Sequence, residues 1–275
     1  MEHYLYHFKE VDAAARDVLI AVLSDLPFSG FEEMEHSLLA YIPVKDAEQL
    51  SDTVIQQLGF PFSVQLIEAQ NWNEQWESSF QPVRIPEDEN VRPEVFIHAG
   101  FHQPHPDARF NISITPKMSF GTGHHQTTYL MMEEMLQIPF LEKEVIDFGA
   151  GTGVLAILAA KLGCKKVLAI DYDEWCIENA RENIVDNGTL QVELKQADVF
   201  IRQPADIILA NINLNVITEN LHAMLDSLNP GGILLLSGML LQDEHFIVKT
   251  LKMNHCTNLT VKHRGNWIMV RINKD

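Results

Sequence analysis

The stretch Val145-Ile146-Asp147-Phe148-Gly149-Ala150-Gly151-Thr152-Gly153 restricts the fold more than any other part of the chain. A short apolar run leads into three alternating glycines and then into residues 154–162, which read as a helix. Glycine accepts a positive φ and lets the backbone approach a ligand. A strand that ends in glycines before a helix therefore builds a crevice at the carboxyl end of a parallel sheet. The alternation continues on both sides of this stretch, with helices over 126–138, 174–186 and 214–228 and strands over 166–170, 191–195, 207–210 and 233–236. Strands of this kind, separated by helical periodicity, predict a mostly parallel sheet with helices on both faces. The end of the chain breaks the pattern. Residues 256–263 and 267–272 flank Arg264-Gly265-Asn266 as an antiparallel hairpin, which makes the last strand antiparallel to the rest.

The first 68 residues follow a different plan. Strands over 4–8, 31–35, 38–42 and 62–67 and helices over 11–26 and 46–58 give the order βαββαβ, a small ferredoxin-like α+β sandwich. In the first helix Val11, Ala14, Ala15, Val18, Leu19, Val22 and Leu23 have the spacing of one buried face. Residues 1–65 hold eleven carboxylates against Lys9, Arg16 and Lys45, a net charge of −8. Trp72, Trp76 and five prolines then interrupt residues 71–106. The expected division is a first domain at 1–68, a linker at 69–92 and a second domain at 93–275 that begins with short strands at 95–98 and 110–114.

Composition sets the class of partner. At 46% hydrophobic and 21% charged residues the chain is a folded protein. Twenty basic against 38 acidic residues leave a charge of −18, which repels phosphate backbones and anionic membrane surfaces, so neither nucleic acid nor membrane is expected as a partner. Cys164, Cys176 and Cys256 fit neither a disulfide framework nor a metal site and read as reduced core residues. No apolar run approaches the roughly 18 residues of a membrane span, and the charged N-terminus does not read as a signal peptide. The expected location is the cytoplasm.

The glycine spacing is G-x-G-x-G. A dinucleotide fingerprint would need glycine where Val154 stands, which disfavours a dehydrogenase. Asp171, ending the next strand, can accept both hydrogen bonds of a ribose diol. It can alternatively cap the helix that follows, although Asp173 is better placed for that. Asp198, past the third strand, can meet an adenine amino group or start a turn. With Asp147 before the first glycine and Asp171 after the second strand, the chain resembles class I S-adenosylmethionine-dependent methyltransferases.

A narrower resemblance rests on Phe120-Gly121-Thr122-Gly123-His124-His125-Gln126-Thr127-Thr128, on Leu209-Ala210-Asn211-Ile212 and on Leu236-Ser237-Gly238-Met239-Leu240. Together with the acidic N-terminal segment and Trp72/Trp76, these are similar to the bacterial methyltransferases of ribosomal protein L-eleven (L11). The resemblance implies a Rossmann-like domain binding S-adenosylmethionine through Thr128, Asp147, Gly149, Gly151, Asp171, Asp198 and Asn211, with no metal. It also implies an acidic first domain that recognises a basic protein substrate, and lysine side chains or the N-terminal amine as methyl acceptors. Asn211 would position the amine. His125 would orient its loop or act as a base. Asn211-Ile212-Asn213 lacks the N-P-P-Y arrangement used on planar amides and adenines, so an aliphatic amine is expected. The chain departs from the family at Thr115-Pro116-Lys117, where D-P-G is usual, and at Gln126, where proline is usual. A monomer is expected. The competing readings are a methyltransferase of another protein or small amine, and a non-catalytic scaffold that only binds the cofactor.

Overall fold

The computed structural model of the chain describes residues 3–274 apart from 25, 35, 48–49, 51–54, 56–57, 68–79, 116 and 118–120. It comprises two compact units, Met1–Trp72 and Asn73–Asp275.

In the first unit β1 (His3–Lys9), α1 (Ala13–Ser24), β2 (Gly30–Met34), β3 (Ser37–Pro43), α2 (Val44–Ala47) and β4 (Phe62–Ile67) follow in order. All strand pairs are antiparallel, in the order β2-β3-β1-β4, the ferredoxin-like arrangement. Tyr6 and Phe8 alternate along β1 into a core with Leu19, Leu23, Leu38, Ala40 and Ile42. The buried face of α1 is narrower than its sequence suggests, because Val18 is 64% exposed and Val22 is 41% exposed. The second expected helix falls mostly outside the described residues. Val44–Ala47 forms one turn at its start, and Ile55 is buried.

The second unit opens with β5 (Val83–Ile85), β6 (Val95–His98) and β7 (Phe110–Ser113), a small sheet in which β5 is antiparallel and β7 parallel to β6. Residues 83–85 were expected in the linker. A three-residue strand beside Pro82 and Pro86 is too short to show period-two alternation, yet Ile85 is buried with Val95, Ile97 and Ile112 in the main core. Then come α3 (Gln126–Met135), β8 (Glu144–Phe148), α4 (Val154–Lys161), β9 (Lys166–Asp171), α5 (Glu174–Asp186), β10 (Val192–Gln196), β11 (Ala205–Asn211), α6 (Leu214–Ser227), β12 (Leu228–Leu240), α7 (Glu244–Met253), β13 (Leu259–Arg264) and β14 (Trp267–Asn273). Helix α7 was not anticipated. Its buried Ile247 and Leu251 have the i, i+4 spacing of an inward face.

The seven strands run β10-β9-β8-β11-β12-β14-β13. From β10 to β12 all pairs are parallel, and β14 enters antiparallel between β12 and β13. Alternate residues of each strand serve opposite faces. Val145, Val167, Leu209 and Leu235 pack with α3 and α4, whereas Ile146, Leu168, Ile208 and Leu234 pack with α6 and α7. Both faces are thus buried, and ligands are left the carboxyl edge of the sheet. That edge is where the sheet order reverses, between β8 and β11.

Candidate active site

The turn after β8 is held by its own backbone. Gly149 and Ala150 donate their N–H groups to Ile170 O at 2.8 and 3.0 Å, and Gly153 donates to Ala150 O at 2.8 Å. Gly149 has φ 79°, and a Cβ there would collide with the Ile212 side chain. Glycine is required on both counts.

Asp147 lies beneath this turn and is fully buried. Its Oδ2 accepts the Ala156 N–H at 3.0 Å, satisfying one of the free donors at the start of α4. Its Oδ1 has no partner among the described residues. Burial first, and the Asp171 carboxylate second, push its pKa up to about 7 against the lowering effect of the Ala156 bond. Asp147 is not among the residues that line the cleft above the turn.

That cleft has a volume of about 900 Å³ and opens along the carboxyl ends of the strands. Because β10, β9, β8 and β11 are neighbours in the sheet, Asp198, Asp171, the Gly149–Gly151 turn and Asn211 follow one another across it at about 4.8 Å per strand. All of them line the cleft. Asp198 is exposed. Asp171 is 6% exposed. Its Oδ2 accepts from Gly151 N at 2.8 Å and its Oδ1 from Asp173 N at 3.0 Å. A carboxylate has about four acceptor positions, so each oxygen keeps one for a diol. The cap of α5 is Asp173, which accepts from Trp175 N.

Asn211 ends β11. Its Nδ2 donates to Thr128 Oγ1 at 3.2 Å, and its Oδ1 is buried without a partner among the described residues. Capping of α6 is done by Asn213, which accepts from Val216 N at 3.0 Å. Thr128, read as a cofactor contact, is fully buried behind Asn211 and does not line the cleft, whereas its neighbour Thr127 does. His125 also lines it. Its Nδ1 accepts the Thr127 N–H at 3.3 Å, which makes His125 the cap of α3, and lies 2.7 Å from Thr127 Oγ1. The ring meets Trp267 edge to face, 4.6 Å between centroids. Burial lowers its pKa.

Sequence reasoning missed Lys117, Tyr172, Trp175, Gly238 and Trp267 in the cleft wall. Gly238 carried a signal, since glycine inside an apolar strand marks a bulge or a close approach. At Gly238 φ is 90° and the register of β12 against β14 shifts. A Cβ there would collide with the Ile212 backbone. Trp267 enters the cleft only because the hairpin turn places it there. Cys176, expected in the core, is half-buried in the cleft wall. Cys256 is also half-buried, and only Cys164 is fully buried.

A family model described as ribosomal protein L11 methyltransferase (PrmA) matches residues 29–275. The chain belongs to this family. A ribosomal protein L11 methyltransferase from Porphyromonas gingivalis is 37% identical over 95% of this chain and 91% of its own length. One from Chlorobaculum parvum is 36% identical over 96% and 94%. The crystal structure of a ribosomal protein L11 methylase from Lactobacillus delbrueckii subsp. bulgaricus superposes with a TM-score of 0.59 at 30% identity, covering 66% of this chain and 96% of that one. The class I methyltransferase fold expected from the glycine turn and the βα alternation is borne out. Among the described residues no cluster of His, Cys, Asp or Glu could hold a metal ion, and no helix is long and apolar enough to cross a membrane.

Proposed function

We propose that the chain transfers methyl groups from S-adenosylmethionine to amino groups of ribosomal protein L11. The observation that carries the chemistry is the Asn211 amide. Leaving a buried acceptor unpaired costs about 1–3 kcal/mol. Asn211 Oδ1 is such an acceptor at the edge of the cleft, so a donor arriving with the substrate would repay that cost. An amine N–H is such a donor. By accepting it, Asn211 would turn the nitrogen lone pair toward the cleft. Family membership supports both the cofactor and the substrate.

The cleft suits the cofactor on this chain's own evidence. Its volume lies within the range of small-molecule sites. Asp171 would hold the ribose diol, Asp198 the adenine amino group, and Gly149 and Gly151 would let the chain approach the sulfur. The cofactor supplies an electrophilic methyl group on a sulfonium. What remains for the protein is to hold an unprotonated amine in line with it, so positioning is most of the catalysis. Deprotonating a free lysine at neutral pH costs roughly 4–5 kcal/mol, which desolvation beside a cationic sulfonium offsets. His125 is not needed as a base. Its Nδ1 is engaged as an acceptor in capping α3, so we assign it to positioning the Thr127–Thr128 turn on which Asn211 leans.

The acidic first unit would attract the basic ribosomal protein, and the enzyme would act as a cytoplasmic monomer. Incubation of labelled S-adenosylmethionine with ribosomal protein L11 from a methyl-deficient cell, followed by mass mapping, tests the reading. Label on lysine or N-terminal amines supports it. Absence of label with a folded, cofactor-binding enzyme overturns it.

A further inference from the structure

We propose that Lys117 anchors the amino-acid carboxylate of the cofactor and is held in reserve for it by Glu182. The proposal rests on the assignment of the cleft to S-adenosylmethionine and extends it to the one anionic group of that molecule.

The charges around the cleft pose the question. Asp171, Asp173 and Asp198 line it, and among its described lining residues Lys117 is the only Lys or Arg. Three carboxylates suit a sulfonium, an ammonium and a ribose diol, but they repel a carboxylate. In many nucleotide-binding loops the free N–H groups of a glycine turn and the helix behind it take up negative charge. Here several of those donors are spent. Gly149 and Ala150 donate to Ile170 O, Gly153 donates to Ala150 O, Gly151 donates to Asp171, and Ala156 donates to Asp147. A side-chain cation in the cleft adds the positive charge that these engaged donors no longer offer.

Lys117 is placed for it. Thr115 N donates to Asn183 Oδ1 at 2.8 Å, and Asn179 Nδ2 donates to Thr115 O at 3.3 Å, which fixes Thr115 against α5. Beyond it, Thr152 Oγ1 of the glycine turn donates to Gly121 O at 2.7 Å. Asn183 Nδ2 also donates to Thr152 O at 2.9 Å, so Thr115 and Gly121 are both attached at the glycine turn. Lys117 Nζ is paired with Glu182 Oε2 at 2.5 Å, and both side chains are partly exposed, at 36% and 50%. An ion pair this exposed contributes little, because water screens it and the two side chains lose entropy in staying in register. The lysine can leave it for a less hydrated carboxylate in the cleft.

Titration calorimetry of the full-length protein with two probes tests the proposal. S-adenosylhomocysteine carries the carboxylate, and methylthioadenosine keeps the adenosine and thioether without it. Lys117→Met is expected to weaken S-adenosylhomocysteine about tenfold, near 1.4 kcal/mol, and to leave methylthioadenosine within twofold. Glu182→Gln is expected to keep or tighten S-adenosylhomocysteine binding. Retained methylthioadenosine binding also reports that the variant cleft is folded. Equal weakening of both probes, or no change in either, overturns the anchor. Looser S-adenosylhomocysteine binding in Glu182→Gln overturns the reserve. A wild-type protein that binds neither probe overturns the cofactor assignment itself, and the proposal with it.

Discussion

Asp147, next to last in β8, and Asp171, the last residue of the neighbouring β9, carry the same carboxyl group, but their surroundings separate their roles. Asp171 keeps free acceptor positions toward the cleft. Asp147 is sealed beneath the glycine turn with a pKa near 7. A carboxyl whose pKa rises on folding contributes stability below its unfolded value near 3.8, and that contribution is lost as pH climbs through about 7. At about 1.4 kcal/mol per unit the full swing is on the order of 4 kcal/mol. Asp147→Asn keeps an acceptor for Ala156 and cannot ionise. Its melting temperature relative to wild type is therefore expected to rise between pH 5 and pH 8, and a flat difference would contradict the assignment. Asn211→Ala is expected to lower the single-turnover rate by about 10²-fold, on the order of 2.7 kcal/mol. Because Asn213 caps α6, stability should change little. A destabilised variant with normal chemistry would return Asn211 to a structural role.

Among the elements, β12 and α3 set the geometry around Asn211. The bulge at Gly238 lets the Asn211–Ile212 corner lie against β12, with Ile212 N donating to Ser237 O at 3.1 Å. Gly238→Ala adds a methyl against the Ile212 backbone at a positive φ. A displacement of about 1 Å at the reacting groups costs up to about 10²-fold, so kcat is expected to fall far more than cofactor affinity. Rate and titration measured on the same preparation decide this. Helix α3 is tied to the terminal hairpin through Glu134, which is 4% exposed and accepts from Arg271 at 2.9 Å and Lys262 at 2.7 Å. Burial raises the Glu134 pKa, but the two cations outweigh it and hold the carboxyl below its usual value. Its stabilisation is present at neutral pH and is lost as pH falls through that depressed value. Glu134→Ala removes the buried partner of two cations that themselves reach solvent and is expected to cost about 1–3 kcal/mol in denaturant unfolding.

For the molecule as a whole the issue is charge. Residues 1–65 carry −8 of the chain's −18, and the described residues that line the cleft all belong to the second unit. Deleting the first unit is expected to leave a folded domain that binds S-adenosylhomocysteine with unchanged affinity but methylates intact ribosomal protein L11 poorly. Undiminished activity on the intact protein would remove recognition from that unit. If its charge steers encounter, kcat/KM of the full enzyme should fall as salt shortens the Debye length from about 10 Å at 0.1 M to about 3 Å at 1 M.

Local pattern was sufficient for the sheet and its glycine turn, because strand and helix periods are properties of neighbouring residues. The same holds for Asp171 and Asp198, each of which closes or follows a strand whose carboxyl end faces the crevice, whereas Asn211 was reached through the family resemblance. The order of the strands does not follow from the periods and is fixed by the tertiary structure. Residues that act by burial or by distant contact were not legible. The sequence shows Asp147 as an acid before a glycine, but not that the turn folds over it and takes it out of the cleft. Thr128 was legible as part of a motif, while its place behind Asn211 depends on packing between α3 and β11. Lys117 lines the cleft close to Thr115, which Asn179 and Asn183 hold to α5, and Trp267 enters it only because the antiparallel β14 inserts beside β12. Such placements depend on which surfaces meet once two layers of helices close on one sheet, and no window of adjacent residues carries that information.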